Sequence, residues 1–153
     1  MSCKFNGKIS AEFNPPKNWK LEKGLSFTVS GHGITDEDIA LFEEMGANIA
    51  STGRITCKKG FVTDLASTPR ILWNLIAPWD VARAAIIHDH LYAVLRVWYE
   101  GENDMKKWKK GRALADKIFK LGMMAAEPSV PKWKIYPAYW AVRLFGRGPA
   151  SHG

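Results

Sequence analysis

The sequence predicts an α+β protein, with N-terminal antiparallel strands and a C-terminal bundle of about three to four helices. Three observations support this. Residues 1–62 are punctuated by Gly and Pro and carry short alternating runs. After Gly60 the apolar spacing becomes helical. The length of 153 residues supports one real core and is too short for two comfortable ones. The expectation is therefore a single domain over 1–153, mostly β over 1–62 and mostly α over 63–146, with a frayed tail at 147–153.

Strands are expected within 5–13, 20–30 and 48–58. The clearest alternation is Leu25-Ser26-Phe27-Thr28-Val29-Ser30, where Leu25, Phe27 and Val29 share one face. A short helix interrupts the strands. Thr35 caps it, Asp36, Glu37 and Asp38 suit its positive start, and Gly46 closes it. Ser67 or Thr68 with Pro69 marks another helix start, and residues 70–77 give one or two turns stopped near Pro78. Asp80 caps a longer helix to about residue 99. Gly101, Glu102 and Asn103 break it, and Asp104 or Asn103 caps a third helix to about 126 that Pro128 and Pro131 end. The last helix lies within 133–145, closed by Gly146, with Pro137 in its first turn or at a kink.

Composition narrows the class without choosing a function. Hydrophobic content of 46% and charged content of 24% are those of an ordinary globular protein. Cys3 and Cys57 exclude a multi-disulfide framework, and a reduced pair in a cytoplasmic setting is the simpler reading. The N-terminus shows no apolar signal core, and no apolar run approaches bilayer length. A net charge of +7 permits nucleic acid, anionic lipid or an acidic partner. A nucleic-acid binder ranks third among the functions, because no recognition motif accompanies the charge.

The chemistry concentrates in Ile87-His88-Asp89-His90-Leu91-Tyr92. Val81, Ala85, His88, Tyr92, Leu95 and Tyr99 share one helical face, so His88 points inward. Asp89 lies about 100° round the helix. Polar groups there are costly unless paired or bound to something. As a reaction site, His88 is a general base and needs an orienting acceptor, for which Asp116 on the next helix is the natural candidate. Asp89 with loop carbonyl oxygens would suit a hard cation such as calcium. As a structural network, the same groups form a satisfied internal staple. His90 faces away from His88 and reads as a surface residue.

In the preceding loop no G-x-S-x-G turn surrounds Ser67, so Asp64 and Ser67 read as helix caps, with Asp64 open as a further cation ligand. Lys106, Lys107, Lys109, Lys110 and Arg112 crowd the start of the third helix and oppose its dipole. They read as a solvated face, or as a surface for anionic membrane or a negatively charged partner, with Trp108 suited to an interface. Trp133, Pro137, Trp140 and Leu144 form one stripe, expected to be core closing over the His-Asp helix, with a mixed edge able to pack on another subunit.

Gly60-Phe61-Val62-Thr63-Asp64-Leu65-Ala66-Ser67-Thr68-Pro69-Arg70, Ala84-Ala85-Ile86-Ile87-His88-Asp89-His90-Leu91-Tyr92 and Trp140-Ala141-Val142-Arg143-Leu144-Phe145-Gly146 resemble a family of small phage-encoded proteins of unknown function. That resemblance covers about residues 55–146, with 34–45 looking like an insertion. It implies a phage or prophage source but no established activity; the expected location is the host cytoplasm during expression, with the virion as the alternative.

His88-Asp89-x-x-Tyr92 with Ala115-Asp116-x-x-Phe119 is also similar to the two-helix site of phospholipase A2 enzymes. That similarity implies His88 as base, Asp116 as its orienter, Tyr92 as support of Asp116, and Asp89 as calcium ligand. The family's paired half-cystines are absent, Leu91 standing where a Cys is usual, and its Gly-rich calcium loop is absent too, which leaves Gly60 to Ser67 as the substitute. The expected functions are thus a cation-dependent hydrolase of lipid esters or another envelope substrate, or a non-catalytic virion or tail component. Expected partners are other phage particle proteins, host envelope lipid or a second copy of the chain.

Overall fold

The computed structural model describes residues 4–7, 11–14, 18–29, 33–63, 78–125 and 130–151. The architecture is α+β, as the sequence predicts. Among the described residues six short strands lie in the N-terminal part, with one helix between the fourth and fifth: β1 (Lys4–Phe5), β2 (Ala11–Asn14), β3 (Asn18–Leu21), β4 (Leu25–Thr28), β5 (Arg54–Cys57) and β6 (Val62–Thr63). They form two antiparallel three-stranded sheets, ordered β1-β4-β5 and β2-β3-β6.

The expected strands were too long. Residues 5–13 split between the two sheets, and 20–30 break after Leu21 and resume at Leu25. Within 48–58 only Arg54–Cys57 is a strand, because the chain turns at 50–53 and Ile49 folds back to bridge Ile55. Gly53 makes that turn with φ of 86°, and a Cβ there would collide with the Val29 carbonyl. The alternating face of β4 is inward as predicted: Leu25, Phe27 and Val29 are buried with Ile55 and Cys57.

Helix α1 (Asp36–Met45) starts and stops as its sequence dictates. The Thr35 hydroxyl accepts from Asp38 N–H at 3.1 Å, and the Asp38 carboxylate accepts from Thr35 N–H at 3.0 Å. Gly46 closes it in the left-handed region with φ of 98°. Helix α2 (Pro78–Glu100) begins at Pro78, where a stop had been expected. Pro is tolerated in a first turn, whose N–H groups have no intrahelical partner, and this leaves Asp80 inside the helix rather than at its cap. The Ser67/Thr68 start and the turns at 70–77 lie outside the described residues.

Helix α3 (Met105–Met124) is capped by Asp104, which accepts from the N–H groups of Lys106 and Lys107 at 2.8 and 3.3 Å. It runs antiparallel to α2, and the pairing is tight where Gly122 meets Ala84. Trp108 is not at an interface. It is buried against Tyr99 and donates to the Ala150 carbonyl at 3.2 Å. Helix α4 (Lys132–Phe145) contains Pro137 in its interior, beyond the first turn.

The chain after Gly146 is not a frayed tail through residue 151. Arg147–Ser151 form a short helix, α5, with Ala150 and Ser151 buried. It is tied down by Trp108 and by Arg96, whose Nη1 donates to the Pro149 carbonyl at 2.9 Å.

Two apolar clusters follow from this layout. One joins β4, β5 and α1 to the side of α2 bearing Leu91 and Leu95. The other joins Ala84, Ala85, Phe119 and Met123 to the α4 face of Ile135, Ala138, Ala141 and Val142. No helix among the described residues is long and apolar enough to cross a membrane.

Candidate functional site

The inward face of α2 carries His88 and Tyr92 one turn apart, and the antiparallel return through α3 brings Asp116 opposite both. His88 Nε2 lies 2.7 Å from Asp116 Oδ1, and the Tyr92 hydroxyl donates to the same oxygen at 2.6 Å. The second oxygen, Oδ2, accepts from Arg143 Nη1 of α4 at 2.9 Å. One carboxylate therefore gathers three donors from two neighbouring helices.

Burial makes this arrangement electrostatically consequential. His88, Tyr92 and Asp116 are all 0% exposed. Burial pushes the Asp116 carboxyl upward, but the hydrogen bond and charge of His88, with the bonds from Tyr92 and Arg143, outweigh it. The net direction is below the usual carboxylate range, so Asp116 is an anion. Since an anionic carboxylate only accepts, Nε2 carries the proton in that bond, and the basic lone pair of a neutral His88 resides on Nδ1. Burial, then the Asp116 charge and hydrogen bond, raise the Tyr92 hydroxyl well above its ordinary range, with Arg112 and Arg143 opposing weakly. Tyr92 thus stays protonated and serves as a donor. The His88 ring also packs between Tyr92 and Phe119, with centroids 4.0 and 4.9 Å away.

Around the carboxylate the packing is close. Gly146, at the end of α4, approaches so near that a Cβ would strike the Tyr92 hydroxyl. Arg112 is buried one turn before Asp116 and donates through Nη2 to the Arg143 carbonyl at 2.6 Å, fixing the end of α4 that carries Arg143. Its Nε has no hydrogen-bond partner among the described residues.

Asp89 points elsewhere, as its 100° offset predicts. It faces the sheets, where Thr63 of β6 donates its hydroxyl to Oδ2 at 2.6 Å. Burial and the nearby Asp89 charge push the Cys57 thiol up to about 12, which keeps it neutral and unreactive at physiological pH. Asp64 lies outside the described residues. Among the described residues no group of three or more His, Cys, Asp or Glu side chains could hold a metal.

His90 is not the surface residue expected from its position. It is half-buried, stands edge-on to Phe61 at 5.9 Å, and its Nε2 accepts from Asn48 N–H at 3.4 Å. Burial moves its pKa below the ordinary histidine value.

Sequence reasoning brought together His88, Tyr92 and Asp116 but missed Arg143 and Thr63. Both lie inside the motifs singled out above. Arg143 is the lone cation between Lys134 and Arg147, which was the available signal.

The fold and site define a small α+β protein built around a buried His–Asp–Tyr–Arg network at the junction of three helices. A family model described as "Protein of unknown function (DUF1353)" matches residues 39–142, and the chain belongs to that family. The match begins inside α1, so most of this helix belongs to the shared region rather than to an insertion. No curated protein and no solved structure matches the chain.

Proposed function

We propose that the protein is a hydrolase whose general base is His88, directed at an ester of the lipid or envelope kind. The observation that carries this reading is the single carboxylate of Asp116 accepting from both His88 Nε2 and the Tyr92 hydroxyl. This is the arrangement that the phospholipase A2 similarity implies, reached here without any of that family's disulfides.

In the proposed step His88 Nδ1 takes a proton from water as its oxygen forms a bond to the ester carbonyl carbon. The resulting imidazolium is stabilised by Asp116 through Nε2–H, and its proton then passes to the departing alcohol oxygen as the ester C–O bond breaks. Tyr92 and Arg143 position Asp116 and keep it ionised. Calcium is the cation the similarity implies. Among the described residues Asp89 offers it one carboxylate, already bonded to Thr63, whereas calcium takes about six to eight oxygens. These residues do not fit a calcium site by themselves, and no step above depends on one.

Complete burial favours a second reading. With His88, Tyr92 and Asp116 at 0% exposure, the network also suits a non-catalytic phage particle component in which it staples α2, α3 and α4. The two readings separate on His88→Asn. Lipid-ester hydrolysis by the wild type, followed with fluorogenic substrates with and without calcium and lost in His88→Asn, supports the enzyme. Absence of hydrolysis by the wild type across short- and long-chain esters overturns it. A folded but markedly less stable His88→Asn variant would then identify the staple.

A further inference from the structure

Helix α4 is apolar on two sides, and only one of them is used. Its inner face, Ile135, Ala138, Ala141 and Val142, is buried against α2 and α3. The stripe expected to be core faces outward instead. Trp133 is 65% exposed, Trp140 57% and Leu144 70%, with Tyr136 and Pro137 exposed between them and Phe145 at the end. At 1.5 Å per residue the stripe from Trp133 to Leu144 is ~16 Å long. Contiguous apolar surface of this kind marks an interaction site.

We infer that this outer face of α4 docks the protein on an anionic phospholipid surface, lying in the plane of the headgroups. Three observations select this occupant. The first is residue type. Trp and Tyr, with an apolar body and a polar edge, suit the boundary between headgroups and acyl chains. The second is charge. Residues 128–153 contain Lys132, Lys134, Arg143 and Arg147 and no Asp or Glu. Lys134 lies over the Trp133 ring at 5.3 Å, and Lys120 of α3 lies over Tyr136 and Tyr139 at 5.3 and 5.1 Å. Cations thus flank the apolar stripe, the arrangement of an interfacial helix that reads acidic headgroups.

The third is symmetry. Pairing this face with its copy across a two-fold axis would bring the same lysines together, with no carboxylate on α4 or α5 to offset them. A membrane with acidic lipids supplies the missing negative charge. This docking surface is independent of hydrolysis at His88.

The test is flotation of the full chain with vesicles of ether-linked phosphatidylglycerol, and separately of ether-linked phosphatidylcholine. Ether linkages keep binding separate from ester cleavage. The expected result is co-flotation with phosphatidylglycerol at low salt, weakening as salt rises, and about tenfold or more poorer partition onto phosphatidylcholine. The paired substitution Trp133→Gln with Trp140→Gln should reduce partition onto phosphatidylglycerol about tenfold or more while leaving the circular dichroism spectrum unchanged, since both side chains are mostly exposed. Failure of the wild type to float with phosphatidylglycerol at low salt overturns the inference. So does a folded double variant that floats like the wild type. Lack of flotation with a dimer that the double substitution dissolves, seen by analytical ultracentrifugation, would assign the face to a second copy instead.

Discussion

Asp116→Asn is the sharpest perturbation of the network. The wild-type carboxylate accepts three hydrogen bonds, from His88, Tyr92 and Arg143, at 2.7, 2.6 and 2.9 Å. An Asn keeps one acceptor oxygen, which can still serve His88 and Tyr92 from the Oδ1 position. Its amide nitrogen then stands where Oδ2 met Arg143, donor against donor. Arg143 loses a charge-assisted bond worth about 1.5–3 kcal/mol, and the buried ion pair is broken from one side, which typically costs about 3–5 kcal/mol. Because the Arg143 side chain is 27% exposed and can turn toward water, the lower end of that range, about 3 kcal/mol, is expected.

Urea unfolding at pH 7 measures this directly, with the wild-type and variant slopes compared to exclude a change in the unfolded state. The pH dependence supplies an independent check. Asp116 has a folded pKa below its unfolded value, so its contribution is present above about 3.9 and is lost as pH falls through the lower folded value. The wild type should therefore lose this stability only below about pH 3.9, and Asp116→Asn should lack that component. A loss below about 1 kcal/mol at pH 7 would refute the reasoning, since it would mean that the three donors do not depend on the charge.

Further expectations follow from the same geometry. Tyr92→Phe removes one donor and should cost about 1–2 kcal/mol in the same unfolding assay, because Asp116 retains His88 and Arg143. Gly146→Ala should cost about 1–3 kcal/mol through crowding of the Tyr92 hydroxyl, read as a lower melting temperature. His90 has a folded pKa below its unfolded value, so the unfolded chain binds more protons as pH drops below about 6.5; stability should fall there, and His90→Gln should flatten that slope. Cys57 should resist alkylation by iodoacetamide at pH 8 in the folded protein and react after urea unfolding, because its buried thiol stays neutral.

What could be read from the sequence was what local chemistry determines. The capping box of Thr35 and Asp38 and the αL glycine at position 46 are short-range signals, and α1 has the expected caps. His88 and Tyr92 share a face because of the helical period alone, and an antiparallel return puts Asp116 within reach. The strands were less legible. A two-residue strand such as β1 or β6 carries no alternation to detect, and its existence depends on a partner far along the chain. His90 was misplaced for a related reason: helical period turns it from His88, but a second layer, Asn48 and Phe61, waits on that side.

Helix α4 shows where periodicity stops being informative. Ile135, Ala138, Ala141 and Val142 repeat at helical spacing, and so do Trp133, Pro137, Trp140 and Leu144. A helix with two apolar faces has no intrinsic inside, so bulk alone favoured the aromatic stripe as core. Packing decided otherwise. The junction is close, with Gly146 near Tyr92 and with Phe119 and Met123 of α3 in the same buried cluster as the α4 face, and it takes the small Ala138 and Ala141 inward. Arg143 sits on the flank between the two faces, and its bond to Asp116 ties that flank to α3 while the aromatic stripe faces outward. The ion pair that completes the network thus also tethers the helix that carries the two exposed tryptophans, so loosening Arg143 should disturb both the stability of the helix junction and the outward presentation of α4.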